Sequence, residues 1–521
     1  MTALLFHGGR VHVGDGTSAE ALLAVDGRVS AVGTLAELRR AAGNAEAIDL
    51  DGGLMTPGWI DTHVHFLWWA IQMGQIDVRE AATVEEALAA IERHAQALPA
   101  GAWIQGGRFD KNRWGRWPTA AELDRVTAGR PAALRSRDGH ARWLNSAALR
   151  AAGIDAGTPI PPGGAIERDA EGAPTGILKE NANWLVDPIV PAPDDAECFA
   201  AITRGQAEAH RRGIVGIEDL ESASAFRAFA RHHERGLLAL RVAMGIPFGS
   251  LDAAVRLGLR TGLGDAWLRI GHLKIFTDGA LGSQTAALEE PYAGSADRGL
   301  LTIDPADLGA AVARAADAGI AVAIHAIGDR AVAAALDAIA PTRATHPELR
   351  QRVEHVQLVR PADIARFGAL GIIASMQPIH ATSDRDLVDR YWGPERARRA
   401  YPWRSLAAAG ATLAFGSDAP VEPIDPLLGI HAAVDRRRPA DDDRWQPQEA
   451  LTLDAAIAGY TSGAAYATGR EREVGTLAVG KRADATVVDR DLALLPPAEW
   501  IGAAVRATIV DGVVRHTAGL R

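Results

Sequence analysis

A single cysteine, Cys198, excludes an intramolecular disulfide and any Cys-x-x-Cys metal knuckle. Such sparse use fits a reducing compartment, and a cytoplasmic location is the expectation. No apolar run is long enough to span a bilayer, so no membrane partner is expected. The opening residues, MTALLFHGGRVHVGDGT, lack a basic stretch followed by a long apolar one and do not read as a signal peptide. A broad nucleic-acid surface usually needs clustered Lys and Arg. The net charge of −10 argues against a nucleic-acid surface. Also absent are a G-x-x-x-x-G-K-[ST] phosphate loop, a G-x-S-x-G nucleophile elbow and an H-E-x-x-H helix. What remains is an ordinary globular composition, 48% hydrophobic and 23% charged. Its 521 residues suffice for a large catalytic core plus a second unit.

The two ends of the chain are alike in kind, with short strands separated by glycine turns. ALLFHGGRVHVGDG and AEAIDLDGGLMTPG lead, and GTLAVGKRADATVVDRD and VRATIVDGVVRHT follow near the C-terminus. The middle instead alternates short apolar strands with amphipathic helices, the pattern of parallel strands with helical crossovers. Eight strands are expected, at 58–65, 214–220, 238–246, 268–276, 319–326, 351–358, 371–378 and 411–420. Between the fourth and fifth, DPADLGAAVARAADAG predicts a helix with Asp304 as N-cap, Pro305 at its first position and Gly319 as its stop. Eight strands with helical returns predict a (β/α)8 barrel, of the TIM-barrel type. Residues 66–213 are too many for one crossover and predict an inserted subdomain at the barrel mouth. That stretch holds seven of the 13 tryptophans: Trp68, Trp69, Trp103, Trp114, Trp117, Trp143 and Trp184. Most should form the insertion's own core, with one or two lining a ligand pocket.

The first strand ends in PGWIDTHVH. Residues i and i+2 of a strand share a face, so His63 and His65 can meet one ion from the same side. Alone, the pair is weak evidence, and two hydrogen-bonded histidines near a strand end are the alternative. The other candidates fall at the same kind of place: Lys274 late on the fourth strand, His325 ending the fifth, His355 on the sixth and Asp418 ending the eighth. Individually, His355 beside Glu354 reads as a core histidine and Asp418 as a turn residue. Together they converge on the face where such barrels carry their active sites, which predicts a metal-binding ring.

The segments PGWIDTHVH, LKIFTDGALGSQTA, IHAIGD, VEHVQL and GSDAPVEPIDPL resemble the amidohydrolase superfamily. More closely they resemble its family 3, which includes N-substituted formamide deformylases. The resemblance extends to RSRDGHARWLNSAALRAAGI in the insertion and GTLAVGKRADATVVD near the end. It implies that His63, His65, Lys274, His325, His355 and Asp418 hold one or two divalent ions. It also implies a composite β-sandwich from residues 1–55 and 470–521 around a barrel at 56–469. Lys274 is chemically odd in a cation site, because an ammonium has no lone pair. Burial can leave it neutral, and in related enzymes such a lysine is carboxylated and bridges two metals. A Lys274–Asp278 ion pair is the alternative.

Imidazoles and carboxylates suit zinc first, with iron, manganese or nickel as alternatives. The expected chemistry is hydrolysis of a non-peptide C–N amide bond, N-formyl or N-acyl, by a metal-activated hydroxide. Asp418 is the expected general base and then acid. His140, in RDGHARW, is expected to grip the carbonyl or oxyanion. Asp278, Gln377, Trp68 and Trp69 complete the expected substrate contacts, and His380 faces the same mouth. A tryptophan-rich mouth favours a small-molecule amide carrying an apolar or aromatic group. A deaminase, a carbamate or ester hydrolase and an isomerase use the same scaffold, and a catalytically silent binding protein is the remaining alternative. Oligomeric state is open, with a homodimer among the arrangements.

Overall fold

The computed structural model describes residues 3–520 except 15, 100 and 439. The first and last residues of the expected end segments, 1 and 521, therefore lie outside the described residues. Eight parallel strands follow one another around a barrel: β1 (Trp59–Val64), β2 (Ile214–Asp219), β3 (Arg241–Pro247), β4 (Leu268–Phe276), β5 (Val322–Ala326), β6 (Arg352–His355), β7 (Ile373–Met376) and β8 (Leu413–Phe415). Every residue of β1 and β5 is buried, as expected of strands covered on both faces. Among the described residues no regular ladder joins β8 to β1. The seam is closed by single bonds instead: Thr62 Oγ1 donates to Phe415 O at 2.9 Å, Asp418 N–H to His63 O at 2.7 Å, and His65 N–H to Ala419 O at 2.9 Å.

The predicted helix is present at Pro305–Asp317, with Asp304 accepting from Ala306 N–H and Gly319 at φ 72° just beyond it. Most strand limits differ from expectation by one to five residues, and two of them have a clear physical reason. β3 starts at Arg241 rather than residue 238, because Leu238 and Leu240 are buried in the neighbouring core without joining the ladder. β8 stops at Phe415 because Gly416 runs hard against β1. A Cβ there would lie 2.6 Å from His63 N and 2.7 Å from Asp61 Oδ1.

Within residues 66–213 a six-stranded sheet runs Gly164–Arg168, Pro174–Glu180, Ala141–Leu144, Ala132–Ser136, Ile104–Phe109 and Ile76–Asp77. Phe109 and Trp143 are buried at its centre, with Trp114 and Trp117 packed against them. The chain ends supply a four-stranded sheet and a six-stranded one, the latter pairing Leu54–Pro57 antiparallel with Ala485–Val488. Side chains of both sheets, among them Phe6, Leu22, Met55, Val487 and Ile509, meet in one apolar cluster. No helix among the described residues is long and apolar enough to cross a membrane.

Candidate metal centre

His63, His355 and Asp418 offer ligand atoms that all lie within 4.8 Å of one another. Local backbone geometry brings them there. On a regular strand Glu354 and His355 would point to opposite faces. His355 instead has φ 71° and Val356 φ 48°, a left-handed ending that lets both side chains face inward. Asp418 also sits at φ 58°. Each such residue costs roughly 1–3 kcal/mol, the kind of strain that collects at functional sites.

The imidazoles are aimed from behind. His63 Nδ1 donates to Glu354 Oε2 at 2.7 Å, and His355 Nδ1 donates to Gln377 Oε1 at 2.8 Å. Both rings therefore turn Nε2, with its lone pair, the other way. Burial, reinforced by the Lys274 cation, lowers the His63 pKa to about 4. Burial and the His325 and His63 rings hold His355 well below the ordinary histidine value. Both stay neutral at pH 7, as a metal ligand must. Glu354 is in turn clamped by Arg352, whose Nε lies 2.8 Å from Glu354 Oε1 and whose Nη1 lies 2.5 Å from Glu218 Oε2. Burial would raise the Glu354 carboxyl, but Arg352 and His63 outweigh it and keep it ionised. This is a fully paired line of buried charges, and it orients His63 through Glu354.

The remaining predicted ligands are at the same face with looser geometry. His65 Nε2 is 3.4 Å from Asp418 Oδ1, and His63 Nε2 is 3.5 Å from the same oxygen. The His325 ring lies 4.5 Å from that of His355, while its Nε2 donates to Gly279 O at 3.1 Å. That tautomer puts the His325 lone pair on Nδ1. Lys274 is buried, and its Nζ is 3.2 Å from His63 Nε2. Burial brings its pKa down to about 8, against the opposing pull of Glu354 and Asp418. No Lys274–Asp278 pair forms among the described residues. Asp278 accepts instead from the backbone N–H of Ala287, Ile327 and Gly328, at 2.8–3.0 Å, and ties down the loop after β4.

A cavity of about 900 Å³ opens onto these groups. His140 lines it, with Nδ1 2.7 Å from Glu180 Oε2 and its ring 5.6 Å from His325. Burial opposes its charge, but Glu180 outweighs burial and lifts the pKa to about 9. His380 lines it too, between Asp418 Oδ2 at 3.4 Å and Glu422 Oε1 at 3.6 Å. Burial is again outweighed by those carboxylates, which raise its pKa to about 10. Asp418 itself, despite burial, is held well below the usual carboxylate range by His63, His380 and His65.

Two expected substrate contacts are placed elsewhere. Trp69 is turned into the core against Phe66, ring centroids 5.2 Å apart, and does not line the cavity. Its neighbour Trp68 does line it. Successive residues of the helix Phe66–Gln72 point about 100° apart, so only one of the pair faces the mouth. Gln377 stands behind His355 rather than in the cavity wall. Glu354, Arg352, Glu218 and Glu180 were not among the predicted site residues. RVEH carried a signal for two of them, since charges on alternate residues of a buried strand must have partners.

The model of the amidohydrolase family matches residues 46–516. N-substituted formamide deformylase of Arthrobacter pascens is 32% identical over 517 residues, covering 96% of this chain and 95% of that protein. The protein LONG AFTER FAR-RED 3 of Arabidopsis thaliana is 33% identical over 518 residues, covering 95% of this chain and 88% of its own. An uncharacterised metal-dependent hydrolase from Pyrococcus furiosus superposes with a TM-score of 0.74 at 29% identity, covering 94% of this chain and 99% of that one.

Proposed function

The chain belongs to the amidohydrolase family, and from that membership we propose that it hydrolyses a non-peptide carbon–nitrogen amide bond of an N-formyl or N-acyl amine. The observation that carries this reading is the convergence of His63, His355 and Asp418, with both imidazoles held at Nδ1 by acceptors behind them. Such a donor set fits a divalent ion, zinc first, with His65, His325 and Lys274 as further ligands. When bound, the metal supplies Lewis acidity towards the carbonyl and acidifies water towards a pKa of ~7.

The protein's own groups do the rest. Asp418, ionised and facing three imidazoles, takes a proton from the attacking water. It returns that proton to the amide nitrogen as the C–N bond breaks, so the products are a carboxylic acid and an amine. His140, kept cationic by Glu180, donates to the carbonyl oxygen as negative charge develops there. Trp68, Trp117, Phe248 and Phe276 give the cavity aromatic wall for an apolar or aromatic substituent. The deformylase relative supports a compact acyl group at the metal end. Lys274, buried and with a lowered pKa, is suited to carboxylation.

Metal analysis of purified protein, followed by assay on formamides and acetamides of benzylamine and hexylamine, tests the reading. One to two ions per chain and chelator-sensitive amide hydrolysis are expected. Full activity in metal-free protein would overturn it.

A further inference from the structure

The aromatic wall of the cavity carries an unneutralised cation. Arg135 and Arg142 lie directly opposite each other in the antiparallel pair Ala132–Ser136 and Ala141–Leu144, and both line the cavity. Like charges directly opposed across two strands are destabilising unless something offsets them. Arg142 has its partner, since its Nη2 is bonded to Asp187 Oδ1. The Arg135 guanidinium makes no hydrogen bond or ion pair among the described residues, although its backbone belongs to the sheet. Its guanidinium lies over the Trp68 indole, 5.0 Å from the ring centroid. The carboxylates nearest in charge are already used: Asp187 by Arg142, and Glu221 by the backbone N–H of Leu67 and Trp68 at 2.9 and 3.1 Å. The contrast with Arg137, matched by Glu422 at 2.6 Å in the same cavity, is direct. Burial, then the Arg142 cation, brings the Arg135 pKa down to about 10, so it keeps its charge at neutral pH. Arg142 adds an Nε that is buried and without a partner among the described residues.

We propose that Arg135 is a specificity residue that binds a carboxylate on the substrate, with Trp68 stacked beneath it and turned towards His65. The Trp68 and His65 rings are 5.8 Å apart, so the aromatic plane spans from the metal side of the cavity to the cation. A planar guanidinium braced on an indole suits a bidentate carboxylate contact. The favoured substrate is then an N-acyl amine with an aromatic group and a carboxylate, which refines the apolar expectation. This rests on the cavity being the substrate pocket of an amide hydrolase.

Two measurements on the metal-containing protein test it. In the first, hydrolysis of N-formylphenylalanine is compared with that of N-formyl-2-phenylethylamine, which differs only in lacking the carboxylate. Wild type should prefer the carboxylate in kcat/KM by roughly 10–100-fold, the usual worth of a charged hydrogen bond. That ratio should fall to near one in Arg135→Met and be partly kept in Arg135→Lys. In the second, binding of 3-phenylpropanoate and of 3-phenylpropan-1-ol is followed by calorimetry. The anion should bind tighter in wild type, and that advantage should be lost in Arg135→Met. An equal ratio in wild type and Arg135→Met, or anion binding that survives the substitution, overturns the proposal. If neither formamide is cleaved but the anion still binds through Arg135, the carboxylate subsite stands and only the hydrolase reading fails. Should Arg135→Met not fold, wild type and Arg135→Lys decide it, because a wild-type ratio near one is already refutation.

Discussion

Lys274 Nζ lies 3.2 Å from His63 Nε2, the atom whose lone pair points to the centre of the ligand cluster. An ammonium there competes with a cation for the same lone pair, and conversion to a carbamate would turn the competitor into a ligand. Protein loaded with ¹³C-bicarbonate should therefore show one carbamate carbon resonance that disappears in Lys274→Ala. Loss of most activity in that variant, partly restored by short carboxylic acids, is also expected. A metal-replete enzyme without the resonance would rule carboxylation out.

The same lysine sets a stability slope in metal-stripped protein. Its pKa is about 8 when folded against an ordinary 10.5, so between those values the unfolded chain binds more protons. Stability contributed by this group must then rise with pH from about 8 to 10.5 and stay at its lowest below that window. Denaturant unfolding at pH 7.5 and 9.5 should show a steeper rise in wild type than in Lys274→Met. Equal slopes would mean that the amine is solvated.

Asp418→Asn keeps shape and one coordinating oxygen but cannot accept a proton. Metal content should stay within a factor of ~2 while turnover falls roughly 10²–10⁴-fold, the scale of a lost general base. Near-normal turnover would move proton transfer to another group of the cavity.

Glu354→Gln removes the charge that holds His63 by Nδ1. Metal affinity, read by chelator competition, should weaken roughly 10–100-fold, as for other groups that orient a metal-ligating histidine. Unchanged affinity would show that Arg352 and the barrel packing orient His63 without it.

His140 is raised from 6.5 to about 9, so its cation is present below about 9 and lost above. Its contribution to stability is complete below pH 6.5 and disappears as pH rises through 9. The profile of kcat/KM should fall above pH 9 in wild type. His140→Gln should be roughly 10²–10³-fold slower, the cost of one oxyanion donor, and lack that limb. An unaltered alkaline limb would assign it to another group.

Much of the barrel was legible because its signals are local. Each strand is a short apolar run, and the candidate metal-binding residues fall near strand ends, where such barrels carry their sites. His63 and His65 are readable in this way. What stayed hidden depends on long-range contact or on broken periodicity. Glu180 reaches His140 across 40 residues, and Glu218 reaches Arg352 across 134. His355 and Glu354 cannot be seen to share the barrel interior, since alternation forbids it and only the φ of 71° at His355 permits it. Trp68 and Trp69 looked equivalent as letters, and the helix phase separates them. Nothing in the letters marks Arg135, because the lack of a partner for its guanidinium is a property of the fold.

The seam between β1 and β8 has a consequence for how the protein is made. Thr62 and Phe415, which help to close the barrel, are 353 residues apart, and the Asp418 and His65 bonds close it beside them. A ribosome at 5–20 residues per second needs about 20–70 s to synthesise that interval. Until then a nascent chain has His63 and His65 but no carboxylate to complete the cluster. Truncated chains ending before Asp418 lack it permanently. Capture of a metal at this centre would therefore need a chain extended at least through Asp418.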